Sequence, residues 1–243
     1  FYLSFFPQLV AGPIVRAEDF LPQLDKPYSL SKAEFSWSVF FILKGLIKKI
    51  VISDYISINF VDRVFDMPLM YSSFENLMAV YGYTLQIYCD FSGYTDIAIA
   101  IALLLGFRLP INFNSPYKSH NITEFWRRWH ISLSSWLRDY LYISMGGNRK
   151  GTFRRYLNLF LTMLIGGLWH GANVRFVIWG GLHGLALIFD KLLHKLTDWF
   201  ETKPLLRFVS LLVTFHFVCF CWIFFRTDGT LAAFDMISWI FSP

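Results

Sequence analysis

The chain has 243 residues, of which 55% are hydrophobic, 20% aromatic and only 16% charged, with a formal net charge of +5. An ordinary water-soluble domain carries about a quarter of its residues charged, so this composition excludes one and makes a lipid bilayer the natural solvent. On such a chain the positive balance records which loops stay in the cytoplasm, and no nucleic acid is expected as a partner.

The chain opens on Phe1 rather than Met and ends at Ser242-Pro243 just after an apolar run. It is therefore read as one membrane domain over 1–243 that is cut at both ends, and the absence of a signal peptide carries no information. Trp37 to Phe60 is apolar but holds Lys44, Lys48 and Lys49 at helical spacing, which predicts an interfacial or tilted helix with snorkelling lysines. Glu75 to Leu109 is longer than one span needs, and its Asp90-Phe91-Ser92-Gly93 centre predicts two helical pieces broken at Gly93. Asp90 and Asp96 would then sit in a polar cavity or as a buried pair.

From Arg108 to Arg155 nine Lys/Arg stand against two acids, Glu124 and Asp139. The positive-inside bias makes this region cytoplasmic, and the turn near Asn173 to Arg175 extracytoplasmic. Tyr156 to Val174 and Phe176 to Phe189 carry no formal charge and read as a helical hairpin around Arg175. Phe208 to Phe225, closed by Arg207 and Arg226, is the cleanest span and is long enough to cross about 30 Å of hydrocarbon. None of these runs alternates as barrel strands would. The expected fold class is all-α, a polytopic transmembrane helical bundle with interfacial and broken helices. Cys89, Cys219 and Cys221 all lie in apolar stretches without metal or redox spacing and read as small buried hydrophobes.

Two histidines carry the candidate chemistry. Asn121 to Glu124 resembles a capping box, which predicts one helix running onward through Leu141. On it Trp126, Leu133, Ser134, Leu137 and Leu141 fall within about 60° of His130, at the centre of an apolar face. A core histidine bonded to neighbouring backbone and an imidazole kept dry as a base are both open readings. The second is His170, in Gly166-Gly167-Leu168-Trp169-His170-Gly171-Ala172-Asn173. Gly167 with Gly171, and Gly180 with Gly184 on the next helix, form small-xxx-small faces that let backbones approach. Packing accounts for the glycines but not for an ionisable side chain beside them. His170 lies 14 residues beyond Tyr156, about 21 Å along a helix and towards the outer side.

The arginines at 127, 128, 138, 149, 154 and 155 fit either the phosphates of a nucleotide-type donor, with Arg127, Arg149 and Arg154 as the contacts, or a topogenic loop touching anionic headgroups. His120, His183, His194 and His216 have no pairing that favours a metal, and no metal site is expected.

At this point the residues resemble the membrane-bound O-acyltransferases (MBOAT), and within them the alginate O-acetylation branch. The matching blocks are Phe5 to Ile14 (FFPQLVAGPI), Asp90 to Asp96 (DFSGYTD), Leu109 to Tyr117 (LPINFNSPY), Glu124 to Tyr142 (EFWRRWHISLSSWLRDYLY), Gly146 to Arg149 (GGNR) and Gly167 to Ala172 (GLWHGA). The resemblance covers roughly residues 1 to 185 in one order. It implies a multi-pass protein of the bacterial inner membrane, with acetyl-CoA as the cytoplasmic acyl donor and no bound cofactor. It also implies a tunnel to a polysaccharide hydroxyl on the far side, reached directly or through a periplasmic acetyl-esterase-like partner protein. The family's two histidines match His130 and His170, with His170 as the catalytic one. The competing class is a transporter or channel for a lipid-linked sugar, or a scaffold for polymer export, which intramembrane Asp and His and broken helices would suit equally.

Overall fold

The computed structural model describes residues 1–193 and 203–242, so His194 lies outside the described residues. Every regular element among them is helical. Two single-turn helices, α1 (Phe6–Leu9) and α2 (Ala17–Phe20), precede α3 (Lys32–Leu46). That helix starts on a full capping box, with Ser31 Oγ accepting from the Glu34 N–H and the Glu34 carboxylate accepting from the Ser31 N–H. It runs on through wide π-type turns at Ile47–Asp54 and Ser57–Val61 into α4 (Asp62–Asp66). A second capping box, Ser72 with Glu75, opens α5 (Ser73–Leu104). Then follow α6 (Ile122–Arg128), α7 (Ile131–Trp136) with a wide-turn extension at Leu137–Tyr142, α8 (Thr152–Trp169), α9 (Val174–Leu192), α10 (Pro204–Arg226) and α11 (Thr230–Ile240).

Helix α5 is unbroken, which corrects the expected break at Gly93. That glycine serves a helix crossing instead. A Cβ on Gly93 would sit 2.8 Å from the Gly45 carbonyl oxygen, and one on Gly45 would sit 2.6 Å from that of Gly93, so α3 and α5 touch backbone to backbone. The lysines beside this crossing do not snorkel, a second correction. Lys44 and Lys48 reach sideways to the Asp96 carboxylate at 3.1 and 2.7 Å, and Lys49 bridges Asp90 at 2.6 Å and Asp54 at 2.8 Å. A cation on one helix facing an anion on the next removes the need to carry either charge to the headgroups.

The expected hairpin is present as α8 and α9. Gly167 and Gly180 face each other, and the α8 residue Phe160 packs on Gly184. Gly171 belongs to the connecting turn rather than to the packed helical face, so the expected Gly167/Gly171 stripe is confined to Gly167. Helix α10 lies against α9 and α5 and buries Trp222, and its last residue Arg226 reaches Asp62 at 2.6 Å. The main core is aromatic, built around Phe125, Trp129, Trp179 and Trp222. A smaller core of Phe5, Phe20 and Phe107 fastens the N-terminal segment to the end of α5, with the Phe20 and Phe107 rings stacked at 5.0 Å. Among the described residues two helices, α5 and α10, are long and apolar enough to cross a bilayer.

Candidate active site

The sequence pattern places His130 within one long helix, but the chain breaks there. Helix α6 ends at Arg128 and His130 adopts φ 42°, ψ 57°, in the left-handed region, directly before α7. Its position on a continuous apolar face is thereby corrected. A non-glycine residue held at positive φ costs about 1–3 kcal/mol unless its surroundings fix it. Asn112 supplies that fixation from 20 residues away. Its carbonyl accepts from the Ile131 N–H at 3.0 Å, and its Oδ1 accepts from the Ser132 N–H at 3.2 Å and from Ser132 Oγ at 2.6 Å. The first amides of α7 therefore have partners although no local residue caps them. Ser132 Oγ in turn accepts from the Ile14 N–H at 2.9 Å, and Arg16 pairs with Asp139, so the N-terminal segment braces the same loop. Asp139 is held down at about 2, first by the hydrogen bond from Arg138 and then by that from Arg16. At the start of α6 the capping box is only half formed. Asn121 accepts from the Glu124 N–H, while the Glu124 carboxylate takes the N–H of His120.

The His130 ring is buried, stands edge-on to Phe91 at 4.7 Å, and has no hydrogen-bond partner for Nδ1 among the described residues. It is thus not a core histidine bonded through that nitrogen. His170 is the residue at which α8 ends, where its N–H closes the last turn onto the Gly167 carbonyl at 3.0 Å. Its imidazole stands edge-on to Trp169, Trp179 and Phe225, with ring centroids at 5.0, 5.3 and 5.1 Å. Among the described residues neither ring nitrogen bonds to protein. Phe225 leads back through Trp222 at 5.3 Å to Trp129 at 5.1 Å, the neighbour of His130. Arg175 donates to the carbonyls of Phe225 and Thr227, fixing the end of α10 beside His170.

A cavity of about 490 Å³ opens between α6, α7, α8 and α9, with Arg127, Arg138, Arg155 and Lys191 among its walls. Arg138 is paired with Asp139, but Arg127 has no ion-pair partner among the described residues. The rest of the lining is mostly apolar, from Trp126, Ile131, Leu137, Leu159, Met163 and Leu187, with Thr123, Ser134, Ser135, Tyr142 and Thr162 among them. Basic, partly uncompensated side chains beside an apolar lining suit a ligand with phosphates at one end and an uncharged arm at the other. Leu159 and Met163 share one face of α8 with His170, which lies about 10 Å further along the helix axis. Of the three arginines singled out in the sequence, only Arg127 lines this cavity. Arg149 and Arg154 are exposed outside it. Among the described residues no three His, Cys, Asp or Glu side chains converge as metal ligands do.

Two residues of this region went unassigned in the sequence. Asn112 is buried and organises the His130 turn, and His183 is fully buried with its Nδ1 accepting from the Trp126 indole at 3.2 Å. Each partner lies 20 or more residues away, so no local spacing marks them.

Comparison with known proteins identifies the family. The model of the membrane-bound O-acyltransferase family matches residues 1–234. The probable alginate O-acetylase AlgI of Pseudomonas putida is 44% identical over 99% of this chain and 48% of its own length. The peptidoglycan O-acetyltransferase of Helicobacter pylori is 45% identical over 97% of this chain and 45% of its own length. More distant is the teichoic acid D-alanyltransferase of Bacillus subtilis, 30% identical over 90% of this chain and 58% of its own. The chain spans about half the length of the curated relatives it matches first. With a family match over residues 1–234, the chain belongs to the membrane-bound O-acyltransferase family.

Proposed function

We propose that the whole protein is a multi-pass enzyme of the bacterial inner membrane that moves an acetyl group from cytoplasmic acetyl-CoA to hydroxyls of an extracytoplasmic polysaccharide. Names of the relatives point to alginate-like or peptidoglycan acceptors, reached directly or with a periplasmic acetyl-esterase-like partner. The observation that carries the reading is His170. It is an imidazole with no protein hydrogen bond among the described residues, caged by aromatic rings and lying up one helix face from a basic cavity.

In this reading the CoA phosphates rest on Arg127 and its neighbours on the cytoplasmic side, and the thioester end points along α8 towards His170. A nitrogen of His170 takes the proton of the acceptor hydroxyl as its oxygen attacks the thioester carbonyl carbon. The C–S bond then breaks, and the leaving thiolate recovers the proton from the imidazolium as CoA thiol. Positioned proton transfer contributes about 10²–10⁴-fold, so the aromatic cage has to supply orientation and exclusion of water as well. His130, held in its left-handed turn by Asn112, supports the oxyanion or orients the thioester.

The test is His170→Ala and His130→Ala in the full-length protein with its partners, scored by CoA release and polymer acetate content. His170→Ala is expected to abolish both at normal protein level, and His130→Ala to reduce them. Substantial turnover in His170→Ala would remove this residue from the mechanism.

A further inference from the structure

The Trp126 indole belongs to the donor cavity. One side of it is part of the cavity wall, and beyond it Trp179 follows edge-on at 5.7 Å, itself edge-on to His170 at 5.3 Å. What holds the indole there is His183. Nε1 of Trp126 donates to Nδ1 of His183 at 3.2 Å, and the imidazole is wholly buried, stacked on Phe125 at 6.1 Å and packed on Trp179 at 4.9 Å. With Nδ1 accepting, the ring proton sits on Nε2, which is buried and has no partner among the described residues. Leaving a buried N–H unpaired is costly, so a filler of apolar space would serve packing better than an imidazole does. What the imidazole supplies and an apolar side chain cannot is the acceptor for Trp126.

Resting on the donor and base assigned above, we infer that Trp126, fixed by His183, sets the length of the transferred acyl group. Trp126 lines the cavity and is joined through Trp179 to His170 by ring contacts, so the bulk of the indole limits the acyl group that lies against this wall: a two-carbon group is accommodated and a longer one meets the ring. Trp126 is the specificity-determining residue and His183 a positioning residue that acts through it.

Chain-length preference of the full-length protein in its own membrane tests this directly. CoA release is measured with acetyl-CoA and butyryl-CoA, and the ratio of the two rates is the readout. Lost or misfolded protein lowers both rates but leaves their ratio alone. One methylene in a fitted apolar pocket discriminates by about 10- to 200-fold, so the wild type should reject butyryl-CoA strongly. Trp126→Leu should raise the butyryl-to-acetyl ratio at least about 10-fold. Trp126→Phe, which keeps a ring in the cluster, should raise it in the same direction. His183→Leu, which removes the acceptor, should follow, whereas His183→Asn, whose Oδ1 can still accept from the indole, should keep the wild-type ratio.

An unchanged ratio in both Trp126 variants with acetyl turnover intact would overturn the inference while leaving the donor assignment standing. An unchanged ratio in His183→Leu alone would remove His183 from the device. No CoA release from acetyl-CoA by the wild type would instead withdraw the donor assignment, and the inference with it.

Discussion

Gly167 offers the sharpest test of whether the hairpin positions His170. A methyl group there would run into the Phe176 carbonyl oxygen and lie 3.2 Å from the Gly180 Cα. Both are backbone, so no rotamer change relieves the clash, and α8 and α9 must part. Overpacking of this kind costs about 1–3 kcal/mol. The larger effect should be on rate. His170 is three residues further on, and its ring lies between Trp179 of α9 and Phe225 of α10, so parting the helices moves it against both. Displacing a reacting group by about 1 Å costs about 100-fold. Gly181→Ala is the matched control, because a Cβ there meets only side-chain atoms at ordinary contact, the Leu164 Cδ1 at 3.7 Å and the Phe160 ring at 4.0 Å. Alanine is also the better helix former by about 1 kcal/mol. The assay is CoA release from acetyl-CoA by the full-length protein, with the melting temperature in detergent taken on the same samples. Gly167→Ala should lose about 100-fold in kcat, far more than its loss of stability explains, and Gly181→Ala should match the wild type. Wild-type turnover in Gly167→Ala would refute the claim that this contact sets the position of His170.

Two further outcomes follow from the charges. Arg127→Gln should raise the KM for acetyl-CoA more than it lowers kcat, because binding is lost in ground and transition states alike, and it should do so more than Arg149→Gln or Arg154→Gln, which lie outside the cavity. The Asp139 carboxyl, held at about 2 by Arg138 and Arg16, lies below its unfolded value of about 3.9. Its contribution to stability is therefore present above about pH 4 and is lost as the pH falls towards 2. Melting curves between about pH 5 and pH 3 should show less acid destabilisation in Asp139→Asn than in the wild type.

What could be seen in the sequence was local. The glycine-packed hairpin, the α10 span and the cap at Asn121 rest on neighbours a few residues apart, and all three are present. The errors share one cause, which is partners far away along the chain. Gly93 looks like a helix breaker until Gly45 is placed against it, and Lys48 looks like a snorkelling residue until Asp96 faces it 48 residues on. The turn at His130 is invisible because its capping groups come from Asn112, and His183 carries no local mark because its partner is Trp126, 57 residues earlier. His170 stood out for the opposite reason, since an ionisable residue among packed glycines is conspicuous without any partner.

The ladder of three lysines and three carboxylates along the α3 and α5 contact bears on how the protein is held in the membrane. Alone in lipid, each aspartate on α5 would cost about 2.5–3.5 kcal/mol near the bilayer centre, and the lysines on the other segment a similar amount. Side by side, Lys44, Lys48 and Lys49 neutralise Asp54, Asp90 and Asp96. Helix α5 is therefore less costly to hold in lipid beside the lysine-bearing segment than alone. The Gly45 and Gly93 backbones meet closely at a single point along that contact, which fixes the register in which the charges face one another.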